Sequence, residues 1–425
     1  MPPSMCSPVR PNRIDGLDNG PRTLLPIGVD MPAEYTKRAR TPALSCGAVP
    51  KRRILVNALS LTQGGGSRSY LVNVLRELDR DSRGFEFTVL ADATQLSPAE
   101  AGGIDVARVR LPGSGGAHLP LRVAYEEIGL PIRAGRFDLL YCPADVAPAL
   151  ATTPTIVALR NLHIYDQSYY DTFRIQVLAR LVRAGVRRAR RVLFPTRAAA
   201  DQISQRIPIL PQRIAIVPHG VSPEAFESGP EEPAGAGSGT PYLFLPASLE
   251  RHKRIEVLIR SLLHAEDPEL EVWIAGSELS DPDHAAELHR LAESLGLAER
   301  VRFLGPVPYR EILRYYRGAI ALAFTSLLET FGHPMLEAML AETPIIAADI
   351  PAFREIAGDI ALYFQPDDPA SLARAVDRLR RDPEAAKSRT ARGRACAAEF
   401  SWKRSVDRLC AVFDEVLTES RRGGA

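Results

Sequence analysis

Two glutamates, Glu329 and Glu337, are separated by seven residues in the segment TSLLETFGHPMLEAML. Ionised carboxylates accept hydrogen bonds at both oxygens and so suit the hydroxyls of a sugar or a ribose. Glu329 closes the loop after the apolar run ALAFTS, and Glu337 falls on the opening of the helix that follows. Gly332 permits a close backbone approach and Pro334 suits a first helical turn. Phe331 and His333 flank the glycine. The amides of Gly332 through Leu336 face the same crevice, where a helix N-terminus favours an anion such as a diphosphate. For the glutamate pair alone, the plainer reading is a capped helix with two solvated acids.

A second group lies in PASLERHKRIEVLI, where an apolar run gives way to a helix. Lys253 follows that run by a few residues and can place an ammonium on a diphosphate, with Arg251 or His252 beside it. Four basic or titratable residues in a row also describe a solvated turn. In LTQGGGSRSYLVNVLREL, Gly64, Gly65 and Gly66 form a turn whose spacing does not match the dinucleotide fingerprint. Arg160 and Asn161, in PTIVALRNLHIYD, end another apolar run, with His163 shortly after. Arg160 could contact a sugar or its phosphates, or could be a structural arginine at a strand end.

The elements that must hold these residues alternate. RRILVNALS, FEFTVLA, VARVRLP, FDLLYCP, TIVALR, RVLFPT and IAIVPHG are short buried-strand patterns, with helix-like stretches between most of them. A second series, YLFLPA, EVWIAG, VRFLG, ALAFTS, TPIIAAD and ALYFQP, follows GPEEPAGAGSGT, a stretch with almost nothing to pack. Alternating strands and helices imply parallel sheets covered on both faces, an α/β class with two Rossmann-like domains. The expected division is a disordered extension over 1–50, a first domain over 51–222, a linker over 223–240 and a second domain over 241–398. A last helix over 399–425 is expected to cross back, because Val406, Leu409, Cys410, Phe413 and Val416 give it an apolar stripe. Residues 1–50 are rich in Pro, Gly, Arg and Ser, and Met31 offers an alternative start.

Composition removes several classes. The 425 residues carry 53 basic and 51 acidic side chains, too even a balance for nucleic acid as the main partner. Five scattered cysteines form no close pair of the zinc or redox kind and suit a cytoplasmic setting. No run approaches the roughly 18–20 apolar residues of a membrane span. Asp281-Pro282-Asp283 and Asp79-Arg80-Asp81 have the shape of a metal-binding carboxylate pair but lie in polar turns, so no metal site is expected. The stretch Phe173–Arg191 carries Arg174, Arg180, Arg183, Arg187, Arg188, Arg190 and Arg191. It reads either as a solvated helix face or as a peripheral contact with an anionic membrane at the inner face of the cell membrane.

A Glu, seven residues and a second Glu, with Phe331-Gly332, Pro334 and Glu337-Ala338 inside the frame, resembles the family-4 retaining glycosyltransferases of the GT-B fold. The resemblance covers nearly everything after residue 50. It implies that Glu329 contacts the donor sugar and Glu337 the ribose of a nucleotide-sugar donor. It places Lys253 on the diphosphate, with Arg251 or His252 as the substitute partner because Pro246-Ala247 stands where many relatives have an arginine. The base would lie near Gly305–Val307, with Val307 against it, and the Gly64–Gly66 loop near the acceptor and the donor phosphates. Where many relatives carry His-Asp, this chain has Arg160-Asn161, which implies a divergent acceptor subgroup. IVPHGV resembles the domain-connecting segment of the family, with His219 in place of Asn.

The implied activity is metal-independent transfer, without a cofactor, of a hexose or deoxyhexose with retention. A mannosyl- or rhamnosyl-type sugar is expected, moved to a saccharide or lipid-linked acceptor in cell-surface polysaccharide synthesis. GDP-, UDP- and dTDP-sugars all fit. The alternatives are a nucleotide-sugar 2-epimerase of the same shape and a catalytically degenerate binding scaffold.

Overall fold

Short runs such as RRILVN and EVWIA are apolar on successive positions rather than alternate ones, the mark of strands buried on both faces. In the computed structural model of the protein, which describes residues 51–59, 66–92, 96–109, 119–162, 173–222 and 239–422, these runs build two parallel sheets. The expected extension over 1–50, most of the linker over 223–240, Gly64, Gly65 and His163 lie outside the described residues.

The first sheet contains β1 (Arg52–Asn57), β2 (Phe85–Asp92), β3 (Asp105–Val109), β4 (Leu139–Cys142), β5 (Thr155–Ala158), β6 (Arg191–Phe194) and β7 (Ile214–Ile216). Their order is β3-β2-β1-β4-β5-β6-β7, so the winding reverses between β1 and β4. The second contains β8 (Tyr242–Pro246), β9 (Glu271–Ala275), β10 (Val301–Gly305), β11 (Ala321–Phe324), β12 (Ile345–Ala348) and β13 (Leu362–Phe364). Its order is β10-β9-β8-β11-β12-β13, with the reversal between β8 and β11. All these pairings are parallel, and the connecting segments carry most of the helices.

Each sheet has its own buried core, but the division does not follow chain order throughout. Helices Pro369–Arg381 and Pro383–Ala397 serve the second unit. Helix Trp402–Arg422 instead adds Val406, Leu409, Phe413, Val416 and Leu417 to the core of the first unit. Phe413 packs edge-on against Phe85 and Tyr141. Asp407 pairs with Arg83 at 2.7 Å, and Asp414 pairs with Arg52 on β1. Where the chain returns, the Val221 N–H donates to the Phe400 carbonyl at 2.7 Å. Gly220 lies against the backbone of Trp402 so closely that no side chain would fit there. Among the described residues no helix is long and apolar enough to cross a membrane.

Candidate active site

In an open parallel sheet, ligands bind outside the carboxyl ends of the strands where the winding reverses, because the chains leaving neighbouring strands part there and open a crevice. In the second sheet that point lies between β8 and β11. Lys253 comes from the short turn Arg251–Lys253 after β8, and Glu329 from the loop after β11. The two loops are tied together at the backbone carbonyls of the lysine turn: the Thr325 hydroxyl donates to the Lys253 carbonyl at 2.6 Å, and the Leu327 N–H to the His252 carbonyl at 3.1 Å. Lys253 Nζ then donates to Glu329 Oε1 at 2.5 Å, with 17% and 15% of the two side chains exposed. Sequence distance is thus closed by topology.

Arg251 is directed elsewhere. Its guanidinium forms two bonds of 2.9 Å to Glu287 on helix Pro282–Ser294, with Asp281 at 3.7 Å. Asp281 itself caps that helix by accepting from the His284 N–H, which gives the Asp281-Pro282-Asp283 turn a structural role. Arg254 ends the lysine turn in the left-handed region and pairs with Asp367 and Glu256 at 2.6 Å.

The second glutamate stands on helix His333–Leu340, which starts at Gly332. Gly332 has φ +94°, and a Cβ there would press on Phe353 and Phe324 at 3.1 and 3.3 Å, so strain and space both require glycine. No side chain caps this helix; in its first turn Pro334 has no N–H to offer and the Met335 N–H donates to the Gly332 carbonyl at 3.0 Å. Glu337 is buried and accepts from the Tyr316 hydroxyl at 2.8 Å and from Tyr309. Burial pushes its carboxyl up to about 7, although the two hydroxyls favour the ionised form. Val307, just before Tyr309, is half-buried on the core of the second unit.

On the first unit, the chain leaves β5 into Arg160 and Asn161. Asp145 gathers this turn: its Oδ1 accepts from the N–H groups of both residues at 2.8 and 3.2 Å, and its Oδ2 from Asn161 Nδ2 at 2.5 Å. The Arg160 guanidinium stacks on Tyr70, 3.1 Å from the ring centre, and Tyr70 shares a hydrogen bond of 2.9 Å with Tyr141. His333 stacks with His219 and Trp402 and meets Phe331 edge-on. Burial, then the neighbouring Arg160, brings the His333 imidazole down to about 4, and the same causes hold His219 well below its ordinary value. Both rings are therefore neutral at physiological pH.

Gly66 opens helix Gly66–Arg80. Asn57, at the carboxyl end of β1, receives the Leu59 N–H on Oδ1 at 3.2 Å and donates to Glu126 Oε1 at 3.3 Å. Glu126 is buried on the π-helical turn Tyr125–Gly129, and burial raises its carboxyl to about 7 against the pull of Arg122.

The structure thus brings Glu329 and Lys253 together and aims Arg251 at another helix. Sequence reasoning missed Tyr309 and Tyr316, whose spacing of two helical turns was the available signal, and Thr330, whose partners lie on the other unit. Glu355, also unanticipated, accepts from the N–H groups of Arg197 and Ala198 at 2.8 Å, linking helix Pro351–Ala357 to the first unit.

Comparison with known proteins gives this geometry its family. The family model Glycosyltransferase Family 4 matches residues 64–225, and the model Glycosyl transferases group 1 matches residues 231–395. The chain belongs to the family-4, group 1 glycosyltransferases. Among curated relatives of this family-4 chain, D-inositol 3-phosphate glycosyltransferase 1 of Catenulispora acidiphila is 32% identical, over 55% of this chain and 59% of that protein. The O-antigen chain mannosyltransferase RfbU of Salmonella typhimurium is 30% identical, over 55% of this chain and 65% of that one. The chain spans about three fifths of the length of these relatives. Among solved structures, Anabaena Alr3699/HepE in complex with UDP and glucose has a TM-score of 0.68 at 19% identity, covering 86% of this chain and all of that one. WaaG, a glycosyltransferase involved in lipopolysaccharide biosynthesis, has a TM-score of 0.66 at 13% identity, covering 84% of this chain and 99% of that one. The two facing Rossmann-like units are the GT-B fold.

Proposed function

We propose that this family-4 protein transfers a hexose or deoxyhexose, of mannosyl or rhamnosyl type, from a nucleotide-sugar donor to a saccharide or lipid-linked acceptor in cell-surface polysaccharide synthesis. The observation that carries the reading is the meeting of Lys253 and Glu329 at the reversal point of the second sheet. A cation and an acceptor group at one carboxyl-end crevice are what a diphosphate joined to a sugar needs. In this reading Lys253 and the first-turn amides of the Gly332 helix hold the diphosphate, and Glu329 takes the sugar hydroxyls. Glu337 takes the ribose, and the base lies at Gly305–Val307. Arg251, held by Glu287, is left a supporting part.

Departure of a nucleoside diphosphate builds negative charge where fixed donors already point, which makes a divalent ion unnecessary. The acceptor approaches from the first unit, past the Gly64–Gly66 loop, Arg160 and Asn161, and attacks on the leaving-group face with retention. UDP in the solved relative and the mannosyltransferase name of RfbU make UDP- and GDP-sugars the first donors to try.

A lipid-linked acceptor agrees with the exposed groups on connected segments of the first unit. Helix Phe173–Arg188 exposes Arg180, Arg183, Arg187 and Arg188, and Arg190 follows it. Ile128, Ile132 and Leu150, 61%, 73% and 65% exposed, lie on neighbouring segments. Those segments are joined by the bond from the Ala149 N–H to Glu127 and by the packing of Gly185 on Ala147. Exposed cations together with exposed apolar tips on connected segments suit an anionic bilayer surface at the inner face of the membrane.

The test is a panel of UDP-, GDP- and dTDP-sugars with and without saccharide and polyprenyl-linked acceptors, in excess EDTA. Acceptor-dependent release of nucleoside diphosphate is the expected result. Epimerised donor without release would identify an epimerase, and binding without turnover a scaffold; either would overturn the reading.

A further inference from the structure

Between Glu329 and Phe331 stands Thr330, a residue of the second unit whose hydroxyl and carbonyl both engage the first. Its hydroxyl donates to the Arg160 carbonyl at 2.8 Å, and its own carbonyl accepts from the Thr196 hydroxyl at 2.7 Å. All three residues are buried. Arg160 and Thr196 leave β5 and β6, adjacent strands of the first sheet, so the loop carrying Glu329 is gripped at two points on one edge.

The anchors on the first unit are themselves held. The Arg160 N–H is fixed by Asp145 and its guanidinium by Tyr70. Thr196 also caps helix Arg197–Ser204, accepting from the Ala199 N–H at 3.0 Å, so its hydroxyl both accepts and donates. Buried hydrogen bonds of this kind are costly to leave unmade. The loop therefore has a defined place when the units are closed and loses two of its supports when they part. The Lys253 contact would remain, because it lies within the second unit.

We propose that Thr330 is a positioning residue, through which seating of the first unit against the second sets the place of Glu329. The inference rests on the transferase reading for its kinetic consequence only. Nucleotide binding to the second unit does not need the strap, whereas transfer needs Glu329 placed against the sugar. A hydroxyl at 330 thereby makes turnover depend on closure, which limits loss of the sugar to water in an open cleft.

The test compares Thr330→Val, Thr330→Ser, Thr196→Val and Glu355→Ala with the parent protein. UDP and GDP affinities are measured by calorimetry, turnover by nucleoside diphosphate release, and amide hydrogen exchange over residues 326–333 by mass spectrometry. Thr330→Val and Thr196→Val are expected to lower kcat by about tenfold, leave nucleotide affinity within about twofold, and speed exchange in that segment. Thr330→Ser should restore both readouts. Glu355→Ala, which breaks a different contact between the units, should leave exchange at 326–333 near that of the parent. Unchanged exchange in both valine variants would overturn the proposal, as would failure of serine to rescue or an equal effect from Glu355→Ala. If the parent releases no nucleoside diphosphate from any donor, the transferase reading falls, and the exchange pattern still decides whether the strap places the loop.

Discussion

Lys253 and Glu329, 76 positions apart in the chain, lie 2.5 Å from each other, each neutralising the other. On the proposed donor placement, a diphosphate would win the lysine from the glutamate and release the glutamate toward the sugar. Lys253→Ala is expected to lower affinity for UDP or GDP by about one to two decades, the worth of a charge-assisted bond of roughly 1.5–3 kcal/mol. Glu329→Gln removes the competitor, so affinity for the bare nucleotide should hold or rise while turnover falls. Calorimetry beside steady-state kinetics separates the two. Loss of bare-nucleotide affinity in Glu329→Gln would reverse the placement of the donor.

Glu337 carries a carboxyl raised by burial to about 7 and faced by two tyrosine hydroxyls. Its ionised form is the stronger acceptor for ribose hydroxyls, so nucleotide affinity should rise as pH is taken from about 6 to about 8. The phosphate of the nucleotide titrates near this range as well. The difference between the parent and Glu337→Gln isolates the protein group, and the glutamine variant should show the shallower dependence. Parallel curves would remove Glu337 from the ribose site.

Glu126 provides a stability test away from the donor. Its folded carboxyl, raised from 4.5 to about 7, holds a proton that the unfolded chain has lost between those values. The contribution to stability is therefore full below about 4.5, declines as pH rises through about 7, and is flat beyond. Glu126→Gln should melt closer to the parent near pH 5 and above it near pH 8. Thermal scans at the two pH values measure this, and an unchanged slope would contradict the buried state of the group.

The cationic face of helix Phe173–Arg188 is expected to bind anionic vesicles at low salt and to release them as salt rises, because exposed charges are screened. Flotation with phosphatidylglycerol vesicles measures it. Replacing Arg183, Arg187 and Arg190 by Gln should abolish binding, and Ile132→Ser should weaken it without changing the salt dependence. A parent protein that stays unbound at low salt would leave this helix as a solvated face.

What could be read from the chain beforehand was what is local. The strand runs and the helix opening with His333-Pro334 declare themselves in a few neighbouring residues, and Phe400-Ser401 marks the break before the last helix. Glu329 and Lys253 are legible for the same reason, each standing just past an apolar run. The direction of Arg251 is not, because Glu287 reaches it only once helix Pro282–Ser294 packs beside helix Ile255–Ser261. Thr330 looks like filler between a glutamate and a phenylalanine until the other unit supplies Arg160 and Thr196. The neutral state of His219 and His333 likewise arises from burial in a stack that draws on four separate segments.

The return of helix Trp402–Arg422 to the first unit bears on the order of assembly during synthesis. Domains usually fold in the order in which they leave the ribosome. Here the first unit emerges early with Phe85 and Tyr141 lacking the ring that covers them, and Arg83 waits for an aspartate made 324 positions later. The second unit has its own helices in hand before that point and can close first. The earlier half of the chain is thus the later to mature, with an uncovered apolar face that a chaperone could shield until Phe413 arrives.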